Sequence, residues 1–277
     1  MTHSVQSIPS KDGTIELYVQ KWSSAKPKAE VLIVHGFLEH SGRYSEFAEY
    51  LIKNGINVTT YDFRGHGKST GPRAFCSSYQ EFIDDLETVL ETVRKKLPRF
   101  LLGHSNGGLT SILWAETSAT AKSLNGVVIT SPWFAPAEDL PYIKVLASKL
   151  LGSLIPTLQI PAELKSEDLM KDVEKIQDHK DDKLLLDKFC VGWAKQSMKS
   201  QARARALKTL PNIKALLFIY AGDDKVANAK VNAEFANQFE CNDKTIVEKP
   251  GEYHEVLNEV ERMKTYELIQ EWMLKRS

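Results

Sequence analysis

Residues 100–108 read Phe100-Leu101-Leu102-Gly103-His104-Ser105-Asn106-Gly107-Gly108. A short apolar run, of the kind that forms a buried strand, ends in Gly-x-Ser-x-Gly, and Gly107 to Ser118 then reads as a helix. A serine at such a strand-to-helix turn is held in a strained conformation with its Oγ exposed above the sheet. Glycines flank it because larger side chains there would collide with the neighbouring strand and helix. The start of the following helix also favours negative charge developing nearby.

Working outward, the same alternation continues on both sides. Gly13 to Trp22 alternates Ile15, Leu17 and Val19 with polar residues and predicts a half-exposed strand, after a polar N-terminal tail that includes His3. Val31 to Val34 predicts a strand buried on both faces. Arg43 to Asn54 predicts a helix stopped by Gly55, Asn57 to Tyr61 a strand, and Ser78 to Leu97 a long amphipathic helix ended by Pro98. Gly126 to Thr130 is another strand. This β-α-β-α-β-α-β order is the signature of a parallel sheet covered by helices on both faces. No convincing strand follows until Ile213 to Tyr220. Then come a helix over Asn228 to Phe239, a strand over Thr245 to Glu248 and a last helix over Val256 to Leu274.

The expected organisation is an α/β core formed by residues 1–131 and 208–277, interrupted by a helical cap over 132–207. Insertions of that length in compact domains usually act as lids.

Composition narrows the function classes. Of 277 residues, 42% are hydrophobic and 26% charged, which suits a globular chain. Lys+Arg and Asp+Glu both number 36, so no basic excess points to nucleic acid. Cys76, Cys190 and Cys241 lie far apart and form no CxxC pair, which argues against a thiolate metal site and suits a reducing, cytoplasmic setting. No secretory signal and no run of membrane-spanning length is visible. The glycosylation sequon Asn57-Val58-Thr59 is read as the start of a strand.

A serine hydroxyl needs a base. On this scaffold the chain order is serine, then an acid, then histidine. Only His254, in Gly251-Glu252-Tyr253-His254-Glu255, follows the last strand. Either Asp223 or Asp224, after the strand Ile213 to Tyr220, could orient its imidazole. The loop His35-Gly36-Phe37 follows a buried strand as an oxyanion-donor loop should. The backbone N–H groups of Phe37 and Asn106 are the expected donors. Two glycine-rich alternatives fail: Asp62 stands where a P-loop ending in Gly67-Lys68-Ser69 needs glycine, and Thr70 stands where a dinucleotide fingerprint starting at Gly65 needs one.

These residues, taken with His35 to Tyr44 (HGFLEHSGRY), Asp62 to Ser69 (DFRGHGKS), Ser131-Pro132 and Gly222 to Val226 (GDDKV), resemble the monoacylglycerol lipase and lysophospholipase branch of the α/β-hydrolase fold family. The resemblance spans almost the whole chain in order. It implies a mostly parallel central sheet with a helical cap. It also implies hydrolysis of a fatty acyl ester with a small polar head through an acyl-serine intermediate, with no cofactor and no metal. It assigns the acid to Asp224. Two residues depart from the family pattern: Asn106 replaces a common methionine after the nucleophile, adding polar atoms near the reacting carbonyl, and Asn228 replaces an aspartate.

In the cap, Ile143, Leu146, Ala147, Leu150, Leu151, Leu154 and Ile155 form an apolar stripe beside Lys144 and Lys149, with Trp133 and Phe134 at its entrance. Trp133, Phe134, Ile143, Leu146, Leu150 and Leu154 are the expected acyl-binding residues. The stripe also suits transient contact with a membrane surface, making the protein cytoplasmic or peripheral. Competing readings are a short-chain carboxylesterase or peptidase with the same triad, and a non-catalytic binding protein on this fold. Ser105 excludes a haloalkane dehalogenase, which needs a carboxylate nucleophile.

Overall fold

The computed structural model describes residues 2–138 and 150–277. In chain order the strands are β1 (Thr2–Pro9), β2 (Glu16–Ser23), β3 (Ala29–Val34), β4 (Ile56–Tyr61), β5 (Arg99–His104), β6 (Gly126–Thr130), β7 (Gln159–Pro161), β8 (Lys188–Cys190), β9 (Ala215–Ala221) and β10 (Asp243–Lys249). Eight of them form one sheet in the order β1-β2-β4-β3-β5-β6-β9-β10. From β4 to β10 every pairing is parallel, while β1 and β2 add antiparallel at one edge.

Strands β3 to β6 and β9 are buried along their whole length, because helices cover both faces. Alternate residues serve alternate faces. Leu32, Val34, Leu101 and Val127 pack under α2 (Gln80–Glu91) and α3 (Asn106–Thr117). Val31, Ile33, Phe100 and Val128 pack under α1 (Ser45–Lys53) and a C-terminal helix over Arg262–Leu274. Gly55 (φ +84°) follows α1 in the left-handed conformation, the expected stop.

Four sequence expectations change. Thr2–Pro9 is not a loose tail but an edge strand paired with β2, and His3 stacks on Trp22 at 4.5 Å. β1 is exposed on both faces, with only Ile8 half-buried, so its sequence carries no apolar period. Helix α2 ends at Glu91 rather than Leu97, where Thr92 turns its hydroxyl back onto the Val89 carbonyl (2.8 Å). The C-terminal helix begins at Arg262, not Val256, since Val256 and Leu257 are drawn into the core. The stretch between β6 and β9 also contains strands after all: β7 and β8 pair antiparallel as a small separate sheet, each only three residues long and so without a readable period.

That same stretch carries α4 (Ser166–Leu169), α5 (Val173–Asp181) and α6 (Val191–Ala206), followed after β9 by α7 (Ala229–Gln238) and, as α8, the C-terminal helix. Among the described residues no helix is long and apolar enough to cross a membrane.

Candidate active site

Ser105 sits between the end of β5 and the first residue of α3 with φ +53° and ψ −117°. A non-glycine residue there is strained, and its surroundings enforce the strain. The Ser105 N–H donates to the Thr130 carbonyl (3.0 Å), and its own carbonyl accepts from Leu109 and Trp133 (3.0 Å each). A Cβ on Gly103 would come within 2.5 Å of the Gly107 carbonyl oxygen, and one on Gly107 within 2.2 Å of the Val34 carbonyl oxygen. The two glycines of the motif are therefore required by close backbone approach.

His254 reaches Ser105 from the loop after β10, its Nε2 lying 2.9 Å from the serine Oγ. Its Nδ1 lies 2.8 and 3.1 Å from the two carboxylate oxygens of Asp224. Asp224 is fixed in turn, because its Oδ1 accepts the N–H groups of Val226 and Ala227 (2.8 Å each). Asp223, by contrast, is exposed. The chain Asp224–His254–Ser105 can thus hold a proton on Nδ1 and leave Nε2 free to accept one from the hydroxyl.

Charge around the imidazole is organised. Burial alone would lower the His254 pKa. The Asp224 carboxylate, by charge and hydrogen bond, with Glu255 and Glu39 behind it, holds it above the ordinary imidazole value. His104, whose ring centre lies 4.9 Å away, is pushed down to about 4, first by burial and then by His254. It is neutral at pH 7 and donates or accepts only locally, at Thr130. Arg43 stands between Glu39 (2.9 Å) and Glu255 (2.6 and 2.7 Å), all three buried. Burial pushes the Glu255 carboxyl up, but Arg43 outweighs it and brings it to about 2. Tyr44 donates to the other oxygen of Glu39 (2.8 Å), which also accepts the Gly36 N–H. The HGFLEHSGRY stretch therefore builds a closed ionic block behind the loop that carries Phe37.

Ser105 and His254 open into a cavity of about 760 Å³. One group of its lining residues is aromatic and aliphatic: Trp133, Leu151, Phe189, Val191, Trp193 and Met198. Within it Phe37 stacks on Trp193 (3.5 Å, 6°), and Phe189 meets Trp193 edge-on. The other group is ionic and interlinked: Glu39, Arg43, Glu255, His179 and Asp182, with His40 bonding Asp182 at 2.7 Å.

Of the six residues expected to bind an acyl chain, Trp133 lines this cavity. Phe134 does not: it is fully buried against Phe218 and Phe235 in the core. Leu150 and Leu154 face outward, 57% and 77% exposed, and Leu151 between them takes the inward position. Ile143 and Leu146 lie outside the described residues. The Asn106 side chain also turns away from the cavity. Tyr79 donates to its Oδ1 (2.8 Å) inside the core, so it adds no polar atom to the substrate space. Asn228 caps α7, accepting the Val231 N–H (3.0 Å).

The profile of the family described as "Serine aminopeptidase, S33" matches residues 25–261. A monoglyceride lipase of Rattus norvegicus is 33% identical over 86% of this chain and 79% of its own length. Phospholipase YtpA of Bacillus subtilis is 31% identical over 87% and 93%. An abhydrolase domain-containing protein of Dictyostelium discoideum is 31% identical across all of this chain, which spans only 29% of that larger protein. The crystal structure of Paleococcus ferrophilus monoacylglycerol lipase superposes with a TM-score of 0.85 at 30% identity, covering 95% of this chain and 100% of that one.

Proposed function

This chain belongs to the serine aminopeptidase S33 family and has the α/β-hydrolase fold, and from that premise we propose that it hydrolyses monoacylglycerols through an acyl-serine intermediate. The coarser statement, a hydrolase of lipid carboxylic esters, rests on its likeness to monoglyceride lipases and a phospholipase over most of the chain. The observation that carries the finer reading is the Ser105–His254–Asp224 hydrogen-bond chain at the wall of a largely apolar cavity.

Ser105 Oγ attacks the ester carbonyl while His254 Nε2 takes its proton. Asp224 keeps the Nδ1 proton in place and stabilises the imidazolium. The carbonyl oxygen becomes an oxyanion held by the N–H groups of Phe37 and Asn106. Collapse of the tetrahedral intermediate breaks the bond to the alcohol, which leaves with the proton from His254. Water then gives its proton to His254 and attacks the acyl-serine, releasing the fatty acid and restoring the hydroxyl.

The ionic side of the cavity favours an uncharged head. Its carboxylates are Glu39, Glu255, Asp182, Glu163 and Asp187, and the guanidinium of Arg43 is already shared between two of them. Lys180 also lines the cavity but is paired with Glu167, so a phosphate entering there meets an excess of carboxylates and cations that already have partners. A lysophospholipid is the second reading, favoured by the likeness to YtpA.

Residues 132–207 act as the cap over the core of 1–131 and 208–277. Exposed Leu150, Leu154 and Ile155 give this cytoplasmic enzyme a small apolar face for transient contact with a lipid surface. The test is release of oleate from monooleoylglycerol beside lysophosphatidylcholine. The reading expects turnover of the first to exceed the second and to vanish in Ser105→Ala. An acetate ester or a peptide turned over in preference to both would displace it.

A further inference from the structure

The loop that carries His254 is not held by the core alone. Three residues around the histidine are fastened to a short stretch of the cap, Leu169 to Lys171. The Glu255 N–H donates to the Leu169 carbonyl (2.8 Å). Lys171 Nζ donates to the Gly251 carbonyl. The third link runs through Glu259, a carboxyl group only 2% exposed. Its Oε1 accepts the N–H of Tyr253 (2.7 Å) and its Oε2 accepts the N–H of Lys171 (3.2 Å).

The Tyr253 ring adds a fourth link. Lys171 lies 4.3 Å from its centre and Lys225, the neighbour of Asp224, lies 4.1 Å from it. One aromatic ring thus touches the cap, the loop of the acid and the loop of the base. Further along, Arg262 bonds Asp172 (2.8 Å) and secures the same stretch to the start of α8. A surface ion pair would add little. A buried carboxyl group taking two backbone N–H groups from separate segments fixes their separation.

We propose that Glu259 and Lys171 are positioning residues for His254, splinting the base loop to the cap so that the imidazole keeps its place between Asp224 and Ser105. The inference rests on the serine-hydrolase reading above. It adds that the cap stretch 169–171 belongs to the catalytic frame, so that whatever displaces it also displaces the base.

The test uses the whole protein and nitrophenyl acetate, which is too short to depend on the acyl cavity. Glu259→Gln keeps the shape but turns an NH2 toward one of the two N–H groups. Lys171→Ala changes an exposed side chain, so folding is safe, and Lys171→Arg restores the charge. Displacement of a base by about an ångström lowers turnover by up to about a hundredfold. The expected result is a kcat lowered roughly tenfold in Glu259→Gln and severalfold in Lys171→Ala, with KM within about twofold and recovery in Lys171→Arg.

The acidic limb of the kcat profile should also move to lower pH, because an imidazolium drawn away from Asp224 loses its partner while His104, Glu255 and Glu39 still surround it. A merely structural role would lower the melting temperature and leave that limb in place. Unchanged kcat and an unchanged limb in both variants overturn the proposal. Failure of the wild type to turn over esters, or to be labelled at Ser105 by a fluorophosphonate, would instead defeat the underlying reading.

Discussion

Asp224→Asn is the substitution whose consequence can be followed furthest. The carboxylate is 1% exposed and lies 2.8 Å from His254 Nδ1, so water screens it little. Its Oδ1 accepts the N–H groups of Val226 and Ala227. An asparagine that keeps those bonds must turn its NH2 toward the imidazole. Nδ1 then becomes the acceptor and the ring proton moves to Nε2, where it blocks transfer from Ser105. At an effective dielectric constant of about 20, unit charges 2.8 Å apart attract by roughly 6 kcal/mol. A triad that loses its acid in this way loses turnover by roughly 10⁴-fold, or about 5 kcal/mol. The two magnitudes agree. The assay is kcat for nitrophenyl acetate at pH 8, with far-UV circular dichroism to confirm folding. Exposed Asp223→Asn is the control, expected to change kcat by less than about twofold. A loss under tenfold in Asp224→Asn, or a larger loss in Asp223→Asn, would refute the reasoning.

Other outcomes follow from the same geometry. Because the base must be neutral and its pKa in the free protein is held above the ordinary 6.5, kcat/KM should rise with pH through a midpoint above that value; a flat profile from pH 5 to 8 contradicts a histidine base. His104 and His66 are buried neutral, with burial the first cause, at about 4 and about 3. Depressed in the folded state, they contribute stability present above pH 6.5. That contribution falls by on the order of 1.4 kcal/mol per pH unit for each group as pH drops toward the folded values, which urea titrations at pH 7 and 5 would read. Leu151→Asp places a charge in the cavity and should cut turnover of a long-chain ester far more than of an acetate. Leu154→Asp, out on the surface, should spare both in solution and weaken only binding to lipid vesicles. Asp85→Ala removes the buried partner that Arg64 reaches at 2.6 and 2.7 Å but leaves Glu81 (3.1 Å) and Asp12 (3.5 Å) beside the guanidinium, and should cost about 1–3 kcal/mol in denaturant unfolding.

What could be read beforehand was whatever leaves a period or a fixed order in the chain. The buried parallel strands announce themselves as apolar runs, and Ser105, Asp224 and His254 stand after the ends of β5, β9 and β10, on the edge where an open α/β sheet gathers its chemistry. What could not be read depends on partners distant in sequence. β1 is mostly polar, with only Val5 and Ile8 apolar besides Pro9, because an edge strand exposed along nearly its whole length buries almost nothing. Phe134 and Leu154 look alike as apolar cap residues, yet one packs on Phe235 and the other faces water. Asn106 reads as a polar intruder until Tyr79 is seen to hold it inside the core. Glu259 has no local signature at all, because besides the adjacent Val260 N–H its partners come from Tyr253 and from Lys171, the latter 88 residues away. The nearest signal is negative: a helix predicted from Val256 that begins instead at Arg262.

The acyl group on Ser105 is the most direct evidence available for the central claim. Acid quenching of the protein within milliseconds of mixing with monooleoylglycerol, followed by peptide mass spectrometry, should find an oleoyl ester on Ser105 and on no other residue. The adduct should be absent in Ser105→Ala and form far more slowly in Asp224→Asn. An unmodified Ser105 peptide during sustained release of oleate, or oleate release that survives in Ser105→Ala, would contradict the account.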